Sequence, residues 1–337
     1  MALAVARIAA AAALSTLLAP LAPLVPLALA APAAAQDYPN RTVTIVAPSA
    51  PGGLYSLFAR FLAHRFEQRF GQTFVVENRV GASSIVGSLS VIRSPHDGYT
   101  LMIANSTGLA VNPTIRKQLP YDPVKDFAPI ALIGRVPEVL VVNAALPVHS
   151  VADLAKLARS TPGGLSYSSA GAGTGQHLGG VLLASLLDVP LTHVPYKGMQ
   201  PAINDVAGGH IPFMISPIPF ALPLAQAGKL RMLGVTTSER VSLIPDVPPL
   251  AEAGVRGFTE MNWWMLVAPS STPAAVIDKL HAEVRTITAD TEAQQELLRL
   301  GIVPVVSPPQ AELRPYIATE IVRFSAIVKQ AGLAGSQ

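Results

Sequence analysis

Residues 42–70 read as strand, tight turn and helix, and that order restricts the architectures open to the rest of the chain. The run at 42–47 is β-branched, apolar and of strand length, and 48–53 has turn chemistry. From Leu54 the apolar residues recur at helical spacing. Leu54, Leu57, Phe58, Phe61, Leu62, Phe66 and Phe70 make one continuous stripe, with Arg60, His64 and Glu67 facing away. Held on the strand by that stripe, the helix opens at the strand's carboxyl end. Its first N–H groups lack intrahelical partners there and the macrodipole is positive, which suits an anion wherever glycine lets one approach. Gly52 and Gly53 provide that access. A plain turn is the competing reading of an isolated Pro51-Gly52-Gly53.

The unit repeats along the chain. A β-branched run at 72–77 leads through a polar turn containing Ala82, Ser83 and Ser84 to a helix over 85–92, and a strand at 100–104 ends in a further polar turn with Ser106 and Thr107. Short strands follow at 130–133 and 139–143. Ser150, with Asp153 three residues on, starts a helix running to about residue 159. The second half repeats the opening, with a strand at 165–169, a glycine turn holding Gly173, Thr174 and Gly175, and an apolar helix at 176–187. Strands at 192–196, 211–215 and 230–236, a helix at 200–207, an apolar run at 264–268 and helices at 273–288 and beyond residue 308 complete the reading.

Alternating strands and helices predict α/β lobes, with mainly parallel sheets covered by helices. Ligands of such sheets sit outside the carboxyl ends of the strands, where the glycine and serine turns converge. The apolar runs at 139–143 and 264–268 read as two crossings between lobes. The first domain is then 38–140 with 261–337, and the second 141–260.

Residues 1–35 carry one basic residue, Arg7, then a long Ala/Leu run closing on small residues, the form of a cleaved export leader. A membrane anchor is the alternative, though Pro20, Pro23 and Pro26 interrupt the run. Loss of those 35 residues from 337 leaves 302 and lowers the formal charge from +3 to +2, too weak and dispersed to imply nucleic acid. The chain has no cysteine, which excludes disulfides and thiolate metal sites.

Catalytic signatures are missing. Neither glycine turn continues into the Lys-Ser/Thr of a P-loop, and at Gly171-Ala172-Gly173-Thr174-Gly175 the last glycine comes one position early for a dinucleotide turn. There is no G-x-S-x-G, S-x-x-K or H-E-x-x-H, and no i, i+4 histidine pair. No cofactor or metal is expected. His177, just past a glycine turn at a helix start, either donates to a bound anion or serves packing. Lys197 is a candidate charge partner for an anion or a solvated loop residue. Trp263 and Trp264 stand at the return crossing, where one of them walls a cleft.

In order along the chain, Pro51-Gly52-Gly53, Glu77-Asn78-Arg79, Asp97-Gly98-Tyr99-Thr100-Leu101, Leu119-Pro120-Tyr121-Asp122-Pro123, His193-Val194-Pro195-Tyr196-Lys197-Gly198 and Gly228-Lys229-Leu230-Arg231 match one pattern. The sequence from 38 onward resembles the Bug family, the TctC-like extracytoplasmic solute receptors of tripartite tricarboxylate transporters. The resemblance implies a two-lobed periplasmic binding protein of type II, exported through its leader, monomeric, closing hinge-wise on a small carboxylate and passing it to a membrane permease.

It also implies a ligand site of backbone N–H groups and hydroxyls: Pro51, Gly52, Gly53, Ser56, Ala82, Ser83, Ser84, Ser106 and Thr107 from one lobe, and Gly173, Thr174, Gly175, His177 and Ser216 from the other, with Trp263 at the crossing. The chain departs from the family where Ser56 and Ser216 replace two common aspartates, and where Ser83-Ser84 replaces a glycine pair. Without those acids the site is less suited to an ammonium group and favours plain carboxylates over amino acids. Two alternatives stay open, an exported α/β hydrolase with an unsignalled nucleophile, and a sensor or adaptor for a signalling partner.

Overall fold

The computed structural model describes residues 38–258, 262–330 and 332–337. The expected leader and the expected bounds at 260 and 261 lie outside these residues. β1 (Val43–Ala47) passes through the Pro51-Gly52-Gly53 turn into α1 (Leu54–Phe70). Phe58, Phe61, Leu62 and Phe66 are buried on the sheet, while Arg60, His64 and Glu67 are exposed, as the stripe requires. Gly71, at φ 66°, ends the helix in the left-handed region that glycine occupies without steric cost. Burial of Phe58 alone is worth about 2–3 kcal/mol.

The chain continues through β2 (Phe74–Asn78), α2 (Ile85–Ile92) and β3 (Thr100–Asn105). The expected polar turn after β3 is instead a π-helical turn, Thr107–Val111, running straight into α3 (Asn112–Ile115). β4 spans Phe127–Arg135, longer than the four residues expected, because the strand carries Pro129 across a register irregularity opposite Leu266 and Val267. A proline has no ladder N–H to give, and such an irregularity accommodates it.

β5 (Glu138–Asn143), α4 (Val151–Ser160), β6 (Leu165–Ser169), α5 (Gly175–Leu187), β7 (Leu191–Pro195), α6 (Met199–Ala207), β8 (Phe213–Pro217), α7 (Ile218–Gln226) and β9 (Leu230–Val235) follow. β10 (Trp263–Pro269), α8 (Ala274–Ala289), α9 (Thr291–Arg299), β11 (Val303–Pro304) and α10 (Gln310–Gln330) complete the described chain. The sequence reading omits α7 and α9. In α7, Pro219 stands in the first turn, where the missing N–H would be unbonded anyway, and Pro223 disguises the rest. In α9 the signal is a cap, with the Asp290 carboxylate accepting from the Ala293 N–H at 2.9 Å.

Two sheets result, a six-stranded one ordered β11-β4-β10-β3-β1-β2 and a five-stranded one ordered β7-β6-β8-β5-β9. The β1–β2, β1–β3, β6–β7 and β6–β8 pairs are parallel. The strands that reverse direction include the two crossing strands. β10 lies antiparallel between β3 and β4, and β5 antiparallel between β8 and β9. Each sheet thus takes one inner strand from the chain as it crosses over, giving the two-lobed α/β plan of a type II periplasmic binding protein.

The chain passes from the first sheet to the second at Val136-Pro137, between β4 and β5. The Val136 N–H donates to the Asn262 carbonyl at 3.2 Å, so the two crossings run side by side. One face of the first sheet packs on α1 and α8 through Ile45, Leu101, Phe58 and Leu280, and the other on α10 through Met102, Met265, Ile317 and Phe324. The second sheet is covered by α4 and α5 on one face and by α6 on the other.

Candidate functional site

The parallel strands place four turns at their carboxyl ends. At the first, Pro51 and Gly52 are exposed and Gly53 is the N-cap of α1, in extended backbone with no side chain capping the helix. A Cβ on Gly53 would stand 3.1 Å from the Ser49 hydroxyl, so a side chain there crowds the turn. Ser56 is buried beneath it. Its Oγ accepts from Asn78 Nδ2 at 2.7 Å, and the same amide donates to the Ser49 carbonyl at 2.8 Å. The Ser56 hydroxyl therefore ties the end of β2 to the back of the turn.

The second turn is strained. Ala82, Ser83 and Ser84 have φ of 46°, 51° and 74°, three successive non-glycine residues in the left-handed region, at a cost of roughly 1–2 kcal/mol each. Side chains from neighbouring elements hold it. Asn112 Nδ2, fully buried, donates to the Ser83 carbonyl at 3.1 Å. The Tyr121 hydroxyl, next to that amide, donates to the Gly108 carbonyl at 2.7 Å. Ser84, the N-cap of α2, donates to its neighbour's carbonyl, while the first N–H groups of the helix, those of Ile85 and Val86, donate to the Ala82 and Gly81 carbonyls at 3.2 and 3.5 Å. At the third turn Ser106 and Thr107 are buried, and Asn105 Oδ1 accepts from the Tyr55 hydroxyl at 2.6 Å and from the Gly108 N–H at 3.3 Å, so this start has a side-chain acceptor.

The fourth turn belongs to the other sheet. Thr174 is the N-cap of α5, yet its hydroxyl donates to the Gly171 carbonyl at 2.7 Å and leaves the helix start uncapped as well. His177 Nδ1 accepts from the Gly173 N–H at 3.0 Å, which puts the imidazole proton on Nε2. The ring stacks on His193 with centroids 3.8 Å apart. Burial lowers the pKa of His177 to about 4, and burial with repulsion from His177 lowers that of His193 likewise, so both rings are neutral near pH 7. His177 is thereby both a packing residue and a neutral N–H donor. Lys197 is exposed at the far end of β7.

The second and fourth turns meet. Ser83 Oγ donates to the Ala172 carbonyl at 3.2 Å, and a Cβ on Gly173 would lie 3.4 Å from the Ile115 side chain. Ser216, also buried, closes on its own neighbour's carbonyl at the end of β8. Trp263 is turned elsewhere. Its indole N–H donates to Glu320 at 2.7 Å, and the ring lines a groove of about 230 Å³ with Arg135, Asn262, Tyr316, Glu320 and Arg323.

Three residues that the sequence reading passed over lock the crossings. Glu138, at the start of β5, accepts through Oε1 from Asn262 Nδ2 at 2.8 Å and from Gln176 Nε2 on the first turn of α5. The only hint in the sequence is an acid preceding an otherwise apolar run.

The arrangement supplies uncapped helix starts and neutral hydroxyls rather than reacting groups. One serine–histidine pair does lie within reach, Ser169 Oγ and His193 Nε2 at 2.6 Å. Ser169 is fully buried, however, and its hydroxyl also receives the Gly171 N–H at 3.1 Å. The imidazole is a weak base, and among the described residues no carboxylate orients it, so a nucleophile–base relay is incomplete. Among the described residues no group of acids and histidines is placed to hold a metal ion, and no helix is long and apolar enough to cross a membrane.

The chain is similar to several known proteins. Residues 58–333 match the pattern of the tripartite tricarboxylate transporter family receptor. The protein BugT of Bordetella pertussis is 32% identical over 90% of this chain and 93% of its own length. Rpa4515 of R. palustris, solved with adipate, superposes with a TM-score of 0.84 at 35% identity, covering 88% of this chain and 99% of that one. MatC from Rhodopseudomonas palustris, solved with malate, gives 0.78 at 31% identity over 86% of this chain and 100% of that one.

Proposed function

The chain belongs to the tripartite tricarboxylate transporter receptor family, whose members are periplasmic solute-binding receptors rather than enzymes, and from that premise we propose that it captures a small plain carboxylate between its two lobes and delivers it to the permease of such a transporter. The observation that carries this reading is the pair of helix starts without a capping side chain, α1 and α5, together with the contact of the second and fourth turns through Ser83 and Ala172. N–H groups left without a protein acceptor at the carboxyl ends of strands are what a carboxylate takes up. The ligand-binding set is Pro51, Gly52, Gly53, Ala82, Ser83, Ser84, Ser106, Thr107, Gly173, Thr174, Gly175 and His177, with Ser56 and Ser216 shaping the turns from beneath.

Closure brings the domain of residues 38–140 with 261–337 onto that of 141–260 about the paired crossings. The protein acts as a monomer in the periplasm after removal of residues 1–35. Adipate and malate, held by the related R. palustris proteins, are the first ligands to try. With serine at positions 56 and 216, and no acid among the turn residues, nothing in the set pairs an ammonium group, which favours plain carboxylates over amino acids.

A thermal-shift screen of small mono- and dicarboxylates, each with its amino-acid analogue, tests the reading. A ligand at a hundred times its dissociation constant stabilises by about 2.7 kcal/mol. No shift with any carboxylate, or larger shifts with glutamate and aspartate than with their deaminated counterparts, would overturn it.

A further inference from the structure

The groove that holds Trp263 lies beside both crossings and shares no lining residue with the four turns. Arg135, the last residue of β4, and Asn262 and Trp263, at the start of β10, form one side. Tyr316, Glu320 and Arg323 form the other, on one face of α10 at i, i+4 and i+7.

Its charges do not cancel. Both Glu320 oxygens are engaged, Oε1 by Arg323 Nε at 2.9 Å, and Oε2 by Arg323 Nη2 at 2.6 Å and by the Trp263 indole N–H at 2.7 Å. That pairing neutralises Arg323 and fixes Glu320 against the indole. Arg135 stands across the groove beside the Tyr316 hydroxyl, and among the described residues no carboxylate lies within 4 Å of it. Burial, with Glu320 adding, raises the Tyr316 pKa to about 12 against the opposing pull of Arg135 and Arg323, so the hydroxyl keeps its proton. Among the described residues the groove therefore offers a guanidinium fork with no carboxylate partner and an O–H, and its one carboxylate is already taken. A guanidinium fork matches an oxyanion bidentately. A volume of about 230 Å³ is below the roughly 300–1,000 Å³ of drug-sized ligand clefts, and suits a free inorganic or similarly small anion.

We propose that this groove is a second binding site, selective for a small oxyanion seated on Arg135 and the Tyr316 hydroxyl and spatially separate from the carboxylate cleft. Its position gives the anion a role. Asn262 on the floor of the groove is the residue that donates to Glu138, which in turn holds Gln176 on the first turn of α5. An oxyanion at Arg135 thus bears on the residues that join the two lobes.

The test is titration calorimetry with inorganic phosphate at fixed ionic strength, chloride serving as the balancing ion, on the full chain as exported. The expected result is saturable one-site binding to the wild type, weakened at least tenfold in Arg135→Gln and less in Arg135→Lys, which keeps the charge and loses the fork. Both variants are checked for wild-type circular dichroism and melting. Phosphate binding that persists undiminished when the cleft is saturated with its own carboxylate supports a separate site. Absence of binding to the wild type, equal affinity in a folded Arg135→Gln, or competitive displacement by the carboxylate overturns the proposal. The carboxylate titration run alongside reports separately on the cleft.

Discussion

The Ser83 hydroxyl donates to the backbone carbonyl of Ala172 at 3.2 Å, joining a strained turn of one lobe to the glycine turn of the other. A neutral bond of this kind contributes about 0.5–1.5 kcal/mol. It forms only when the two turns are together, so on the proposed closure it favours the state that holds ligand. Ser83→Ala keeps the left-handed backbone demand and removes only the bond. Carboxylate affinity is expected to fall about 2- to 10-fold by calorimetry, with the melting temperature of the ligand-free protein nearly unchanged. An unaltered dissociation constant would mean that the bond adds nothing to closure.

Ala82 is exposed with φ at 46°, and its side chain makes no hydrogen bond that a replacement would lose. Glycine relieves the left-handed strain, and the greater freedom of the unfolded chain returns part of the gain. Ala82→Gly is therefore expected to raise stability by about 1 kcal/mol, read as a higher urea midpoint with an unchanged slope. A lower midpoint would show that the backbone at 82 is not under strain.

What the sequence could show was local, and what it could not show was mostly long-range pairing. The stripe from Leu54 to Phe70, the Ser150 cap and the order of strands and turns each rest on neighbours within a few positions, and each appears in the structure. Ser56 was legible as a residue beside the first turn, but its acceptor role toward Asn78, 22 positions on, was not. The meeting of Glu138 with Gln176 and Asn262 spans 38 and 124 positions and depends on the crossings lying side by side. The left-handed run at 82–84 was hidden for another reason. Serine and alanine do not announce positive φ, and the run survives because Asn112 and the facing lobe hold it. Trp263 stood at the right crossing on a strand whose side chains alternate between faces, and only the register sends it toward Glu320 and Trp264 toward Phe58.

His177 and His193 give the fourth turn a defined pH dependence. Their folded pKa values, about 4, lie below the ordinary 6.5, so between those limits the unfolded chain binds more protons than the folded one. Stability from the stacked neutral rings is present above pH 6.5 and is lost as the pH falls toward 4. Protonation of His177 also removes the acceptor for the Gly173 N–H. Urea midpoints and carboxylate affinity are both expected to decline from pH 7 to pH 5, with a shallower decline in His193→Gln, which has no charge to gain. A flat profile in the wild type would contradict the depressed pKa values.

Asn262 carries two connections at the crossings, its carbonyl to the Val136 N–H at 3.2 Å and its side-chain amide to Glu138 at 2.8 Å. Asn262→Ala keeps the first and deletes the second. Glu138, buried, then loses the Asn262 bond and keeps the one from Gln176, and a hydrogen bond to a charged group contributes about 1.5–3 kcal/mol. Because Gln176 is on the first turn of α5, the loss reaches the helix start at the fourth turn, which belongs to the proposed ligand site. Asn262→Ala is expected to lower the melting temperature and to weaken carboxylate binding together, whereas a residue that only spaced the crossings would change stability alone. Glu138→Gln separates the effects of charge and geometry. It can still accept from both amides, so it should keep most of the affinity that Asn262→Ala loses if the network acts by positioning. If Glu138→Gln weakens binding as much as Asn262→Ala, the charge on Glu138 matters more than its place between the two amides.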